Sequence, residues 1–74
     1  MPQTQSLPSA DRYISRRVRY RGREMGLCSV SLGPDGHAVV EPFLFETPAT
    51  VILDRDIEVS DGTASSIEDL ITLL

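Results

Sequence analysis

The chain of 74 residues has no lysine and no tryptophan, and it carries one cysteine, one histidine, two phenylalanines and two tyrosines. Without lysine there is neither a Schiff-base amine nor a phosphate-loop lysine, and no glycine-rich phosphate loop is present. A lone cysteine, Cys28, makes no internal disulfide, so nothing in the chain is built for an oxidising compartment and a cytoplasmic location is expected. One histidine with one cysteine gives no zinc-ligand spacing. No apolar run approaches the roughly 18 residues that cross a bilayer as a helix, and Met1 to Ala10 lacks the basic and apolar stretches of an export signal. Neither a membrane segment nor a small-molecule cofactor is expected.

What remains is enough for one small core. Leu, Ile, Val and Phe make up 21 of the 74 residues, above the roughly 20% below which disorder is the default. A chain of this length buries only about 60% of the surface it exposes when unfolded, which leaves no room for a second domain and makes support from a partner, including another copy, an expectation.

The positive charge is concentrated. All seven basic residues are arginines, and Arg12, Arg16, Arg17, Arg19, Arg21 and Arg23 fall in the first third of the chain. Six arginines against Asp11 leave +5 over residues 1–23, whereas Arg55 against ten acids leaves −9 over residues 24–74, so the overall −4 conceals a dipolar chain. Such asymmetry points either to an anionic partner or to one half folding onto the other.

Residues 1–11, with Pro2, Pro8 and little apolar content, read as a loose tail before a single domain over 12–74. From Arg12 on, short β-branched and aromatic runs alternate with Gly and Pro, predicting strands near 12–21, 24–32, 37–46, 49–54 and 56–60. Gly33-Pro34-Asp35-Gly36 suits a type I turn, with Pro fixing φ at its second position. Gly22-Arg23 suits a two-residue hairpin loop, Asp61-Gly62 ends the last strand, and Pro42 and Pro48 mark an edge or a bulge. Ser65 with Glu68 resembles a capping box, and Ile67, Leu70, Ile71 and Leu74 recur at the spacing of an amphipathic helix. The expected fold is therefore mainly β: a small five-stranded antiparallel meander, as a sandwich or partly open barrel, with one C-terminal helix.

These turns imply a register. It sets Arg21 opposite Glu24, Val18 opposite Leu27, Arg17 opposite Cys28 and Glu41 opposite Cys28, and collects Ile14, Val18, Tyr20, Met25, Leu27, Ala38, Val40 and Leu44 on one apolar face. Arg17, Arg19 and Arg21 then share the opposite face. They are expected first as cross-strand ion pairs with the acidic half, next as contacts for an acidic partner or a second copy, and last as a nucleic-acid stripe.

No catalytic constellation emerges. Cys28 and His37 lie roughly 14 Å apart along the ladder in this register, so no dyad forms, and Asp54, Asp56 and Glu58 line a strand face without the spacing of a calcium loop. The run Ile57 to Gly62, IEVSDG, resembles strand-and-turn pieces of the small β domain of metal-dependent amidohydrolases over six residues, and no residue role comes with it. The chain is accordingly read as a non-catalytic interaction or structural module, probing a protein partner or itself through Arg17, Arg19, Arg21, Phe43, Phe45, Ile67, Leu70, Ile71 and Leu74. Alternatives are a small arginine-rich β-barrel that binds nucleic acid and an accessory β domain of an enzyme complex.

Overall fold

The runs of β-branched and aromatic residues do become strands. A computed structural model describes residues 7–8, 10–43 and 50–74, and over these the protein is mainly β. The strands are β1 (Arg12–Ser15), β2 (Val18–Tyr20), β3 (Arg23–Glu24), β4 (Cys28–Leu32), β5 (Ala38–Pro42), β6 (Thr50–Ile52), β7 (Ile57–Val59) and β8 (Ile71–Leu73). They form two mixed four-stranded sheets, ordered β5-β4-β1-β6 and β3-β2-β7-β8. There are thus eight strands rather than five. Two of the expected strands are broken, at 16–17 and at 25–27, and the eighth stands where the helix was expected.

Nor is the arrangement an antiparallel meander. β1 pairs with β6, and β2 with β7, in parallel. The pairing is selected by apolar matching: Tyr13 sits beside Val51, Val18 beside Ile57 and Tyr20 beside Val59, so the later arm brings its apolar residues to the face where the earlier arm already has them. A turn motif specifies a neighbour only for the strands it joins, and these partners are joined by none.

Both hairpins form where Gly and Pro predicted them, with different registers. In the first, Arg21 (φ 54) and Gly22 (φ 73) are the loop, and the flanking pair is Tyr20 with Arg23. Positive φ at both positions is the type I′ geometry, whose twist matches that of the strands. Arg19 rather than Arg21 therefore faces Glu24, and Ser15 rather than Arg17 faces Cys28. Arginine is a poor occupant of this backbone region. Arg21→Asn is expected to raise stability by about 0.5 kcal/mol, the relief exceeding the loss of an exposed arginine-ring contact; a denaturant midpoint that fails to rise contradicts the turn assignment.

In the second hairpin, the Gly36 amide donates to the Gly33 carbonyl at 3.1 Å, closing the predicted turn, and Gly36 adopts φ 86. That left-handed glycine is an extra residue in the loop, as in hairpins that follow a type I turn with a glycine bulge. Gly33 then donates to His37 at 2.8 Å, and Val30 pairs with Val40 and Ser29 with Glu41. One residue of slip moves a whole strand set to the other face. The core-facing members of β4 are consequently Cys28 and Val30, and Met25 and Leu27 are exposed instead of buried.

The core lies between the sheets. Tyr13, Cys28, Val30 and Ala38 come from the first sheet, Val18, Ile57, Val59 and Ile71 from the second, and Ile67 and Leu70 close one end. Leu7 and Ala10, from the segment read as a tail, pack against this cluster. The chain passes from one sheet to the other at 16–17, 25–27 and 53–56, so the layers are joined by bent strands. At the second bend Val18 donates to Gly26 and accepts from Met25, two residues opposing one across a bulge. Buried Ser15 fastens the other two, donating its hydroxyl to the Arg55 carbonyl at 2.6 Å while accepting from the Arg17 amide at 3.3 Å.

The C-terminal helix is a single 3₁₀ turn, Ile67–Leu70, followed directly by β8. Ser66, not Ser65, precedes the turn; its hydroxyl bonds the Glu68 carboxylate at 3.0 Å and caps no backbone amide. Ile71 is already extended, and β8 pairs antiparallel with β7, Val59 beside Ile71 and Ile57 beside Leu73. Two and a half turns of helix are marginal, and the unpaired side of β7 offers a ladder instead. A spacing of i, i+3, i+4 does not separate a helix from a 3₁₀ turn that runs into a strand, since Ile67, Leu70 and Ile71 are buried either way.

Candidate interaction surfaces

Because Val18 and Tyr20 face the core, Arg19 between them falls on the outer face of the second sheet; Arg17, in the bend before β2, and Arg21, in the hairpin turn, are exposed as well. On the same side of β7 stand Asp56 and Glu58, also exposed. The ladder places Glu24, Arg19, Glu58 and Thr72 in one row across all four strands. Extending the parallel pairing by one residue brings Arg17 beside Asp56, where a shallow cleft is lined by Arg17, Arg19, Glu24, Asp56, Ile57 and Leu74.

The two halves of the dipolar chain therefore meet on one surface without closing on each other. Among the described residues no arginine has an Asp or Glu carboxylate within 4.0 Å, and His37 Nδ1 lies 3.8 Å from the Asp35 carboxylate. The ion pairs expected for Arg17 with Glu41 and Arg21 with Glu24 are absent because the registers differ: Glu41 lies opposite Ser29, and Arg21 is in the turn. Arg21 instead lies over the Tyr20 ring, 5.3 Å from its centroid, and Arg55 donates to the Leu74 carbonyl at 2.6 and 3.2 Å. Adjacent strands about 4.8 Å apart still leave the Arg and acid rows in mutual attraction, worth a few tenths of a kcal/mol per exposed pair.

The apolar half of the expected surface is differently placed. Ile67, Leu70 and Ile71 are consumed by the core, so their side chains offer nothing to a partner. Phe43 is half-buried, its amide bonded to the Leu27 carbonyl at 3.3 Å, and Phe45 lies outside the described residues, as do Leu44 and Pro48. Leu74 is 51% exposed. The large apolar side chains that sequence reasoning missed are Met25 at 45%, Leu27 at 49% and Ile52 at 59% exposure. The glycine at 36 was the available signal for the first two, since a bulge there inverts the assignment of β4.

The groups with reactive chemistry stay apart. Cys28 is buried beside Pro42, its thiol donating to the Met25 carbonyl at 3.4 Å, and burial pushes its pKa up, away from the thiolate. His37 sits five ladder positions away at the turn, bridged to Thr63, with its amide bonded to Asp35 at 3.2 Å. No group of three His, Cys, Asp or Glu among the described residues is placed to hold a metal ion, and no helix there is long and apolar enough to cross a membrane. Comparison with known proteins finds no matching family, no matching curated protein and no matching solved structure.

Proposed function

We propose that this chain is a non-catalytic protein-interaction module that self-associates. The observation that carries the reading is the set of large apolar side chains, Met25, Leu27, Ile52 and Leu74, held about half in solvent by a domain with so small a core. A core of this size supplies only about 3–5 kcal/mol, so burial against a second copy adds materially to stability. A buried, unpaired Cys28 suits a reducing compartment such as the cytoplasm.

A nucleic-acid reading draws on the exposed row Arg17, Arg19 and Arg21, and the carboxylates beside that row weigh against it. It requires retention on a polyanion column at low salt. For self-association the test is sedimentation velocity under reducing conditions from about 1 to about 100 µM, the span of weak to moderate affinities. The expected result is a sedimentation coefficient that climbs with concentration, and a monomer value throughout removes the proposal.

A further inference from the structure

We infer that a second copy of this chain docks on the outer face of the second sheet, with the basic row of each copy lying over the acidic row of the other. The inference rests on the self-association reading and assigns it a charged face on which Leu74 alone of the exposed large apolar side chains lies. Arg19 of β2 stands in register beside Glu58 of β7, about 4.8 Å to one side. One residue before each strand, Arg17 and Asp56 line one cleft, and the Ile57 amide donates to the Arg17 carbonyl at 3.0 Å, so these two continue the same levels. The two rows have a common period, a common direction and opposite sign.

That arrangement is self-complementary. A two-fold axis lying in the contact plane, parallel to the strands and midway between β2 and β7, exchanges the rows and preserves the levels. It places Arg17 over the partner's Asp56 and Arg19 over the partner's Glu58, each pair occurring twice.

Charge decides the occupant. Arg17 and Arg19 stand against Asp56, Glu58 and Glu24, so the face is close to neutral on a chain whose net charge is −4, and two identical acidic chains approach there with little opposition. A polyanion or an acidic peptide meets Asp56, Glu58 and Glu24. The Arg17 and Arg19 guanidinium groups have no described carboxylate within 4.0 Å.

The test uses full-length chains in sedimentation equilibrium. One variant carries Arg17→Glu with Arg19→Glu, and the other Asp56→Arg with Glu58→Arg; all four positions are exposed. Each alone is expected to self-associate at least about tenfold more weakly than the parent, and an equimolar mixture to recover association, since only the mixture restores opposite signs across the axis. Parent association should weaken several-fold between about 50 and about 500 mM salt. A milder pair, Arg19→Gln with Glu58→Gln in one chain, covers the case in which reversed charges impair folding; it should weaken association about threefold or more. If the parent associates and the variants match it, or if the mixture fails to recover, this face is not the interface while self-association stands. A parent that is monomeric throughout overturns both.

Discussion

Tyr13→Ala is expected to abolish the cooperative unfolding transition, because truncating a fully buried aromatic costs about 3–5 kcal/mol and a domain of this size holds little more than that. Tyr13 is wholly inaccessible to solvent. It is flanked by Val30 and Val51 in the first sheet, and its hydroxyl donates to the Pro8 carbonyl, tying the segment before β1 to the core. Removing the ring therefore opens a void at the centre of the sheet and releases Leu7 and Ala10 from their packing. Circular dichroism against temperature reads the result; a variant that melts within a few degrees of the parent shows that Tyr13 does not anchor the core.

Tyr13→Phe separates the ring from the hydroxyl. It should cost about 1 kcal/mol, the value of one hydrogen bond. Burial foremost, and then the Glu68 carboxylate, lift the hydroxyl above its ordinary pKa of 10.0, against a smaller opposing pull from an Ala10 backbone hydrogen bond. A raised folded-state pKa means that the folded chain holds its proton longer than the unfolded one. The associated stability is complete below pH 10 and drains away as pH rises through and beyond it, and Tyr13→Phe should flatten that alkaline loss.

Gly36→Val should cost about 3 kcal/mol, next in size after the loss of Tyr13. Two effects combine. Gly36 has φ 86, where a β-branched residue is severely strained, and a Cβ there would come within 3.2 Å of the Ala64 carbonyl oxygen and 3.6 Å of the Thr63 Cβ. The same glycine accepts from the Ala64 amide at 2.9 Å, next to the bridge between His37 and Thr63, so the strain reaches the contact that holds the loop before the 3₁₀ turn. Gly36→Asn, which tolerates this backbone region, should cost less. Were Gly36 an ordinary strand residue paired with Gly33, valine would be harmless or favourable there, so a guanidinium midpoint unchanged by Gly36→Val overturns the bulge.

The sequence was informative where the physics is local. Gly, Pro and Asp mark both hairpins, and the outward direction of Arg19 follows from alternation, because Val18 and Tyr20 on either side of it face the core. Local signals failed at single-residue resolution. The loop at Arg21-Gly22 rather than Gly22-Arg23 displaces every partner in the first hairpin, and the extra residue at Gly36 turns β4 over relative to the sequence register, burying Cys28 and Val30 and exposing Leu27. The C-terminal stripe was recognised as buried and misread as a helix, since the apolar spacing is common to both conformations and the deciding partner, β7, lies more than ten residues upstream.

Composition and pattern by themselves determined that this chain is mainly β, where it turns, that its charge is divided between two halves, and that Arg19 of β2 faces away from the core. Those properties depend on residues within a few positions of one another. Tertiary structure alone decided the parallel pairing of β2 with β7, which sets Arg17 and Arg19 beside Asp56 and Glu58, and the strand at Ile71–Leu73 that leaves Leu74 in the same cleft. Each of these joins segments distant in the chain, where the choice among free strand edges rests on total apolar burial across the whole core rather than on any nearby residue.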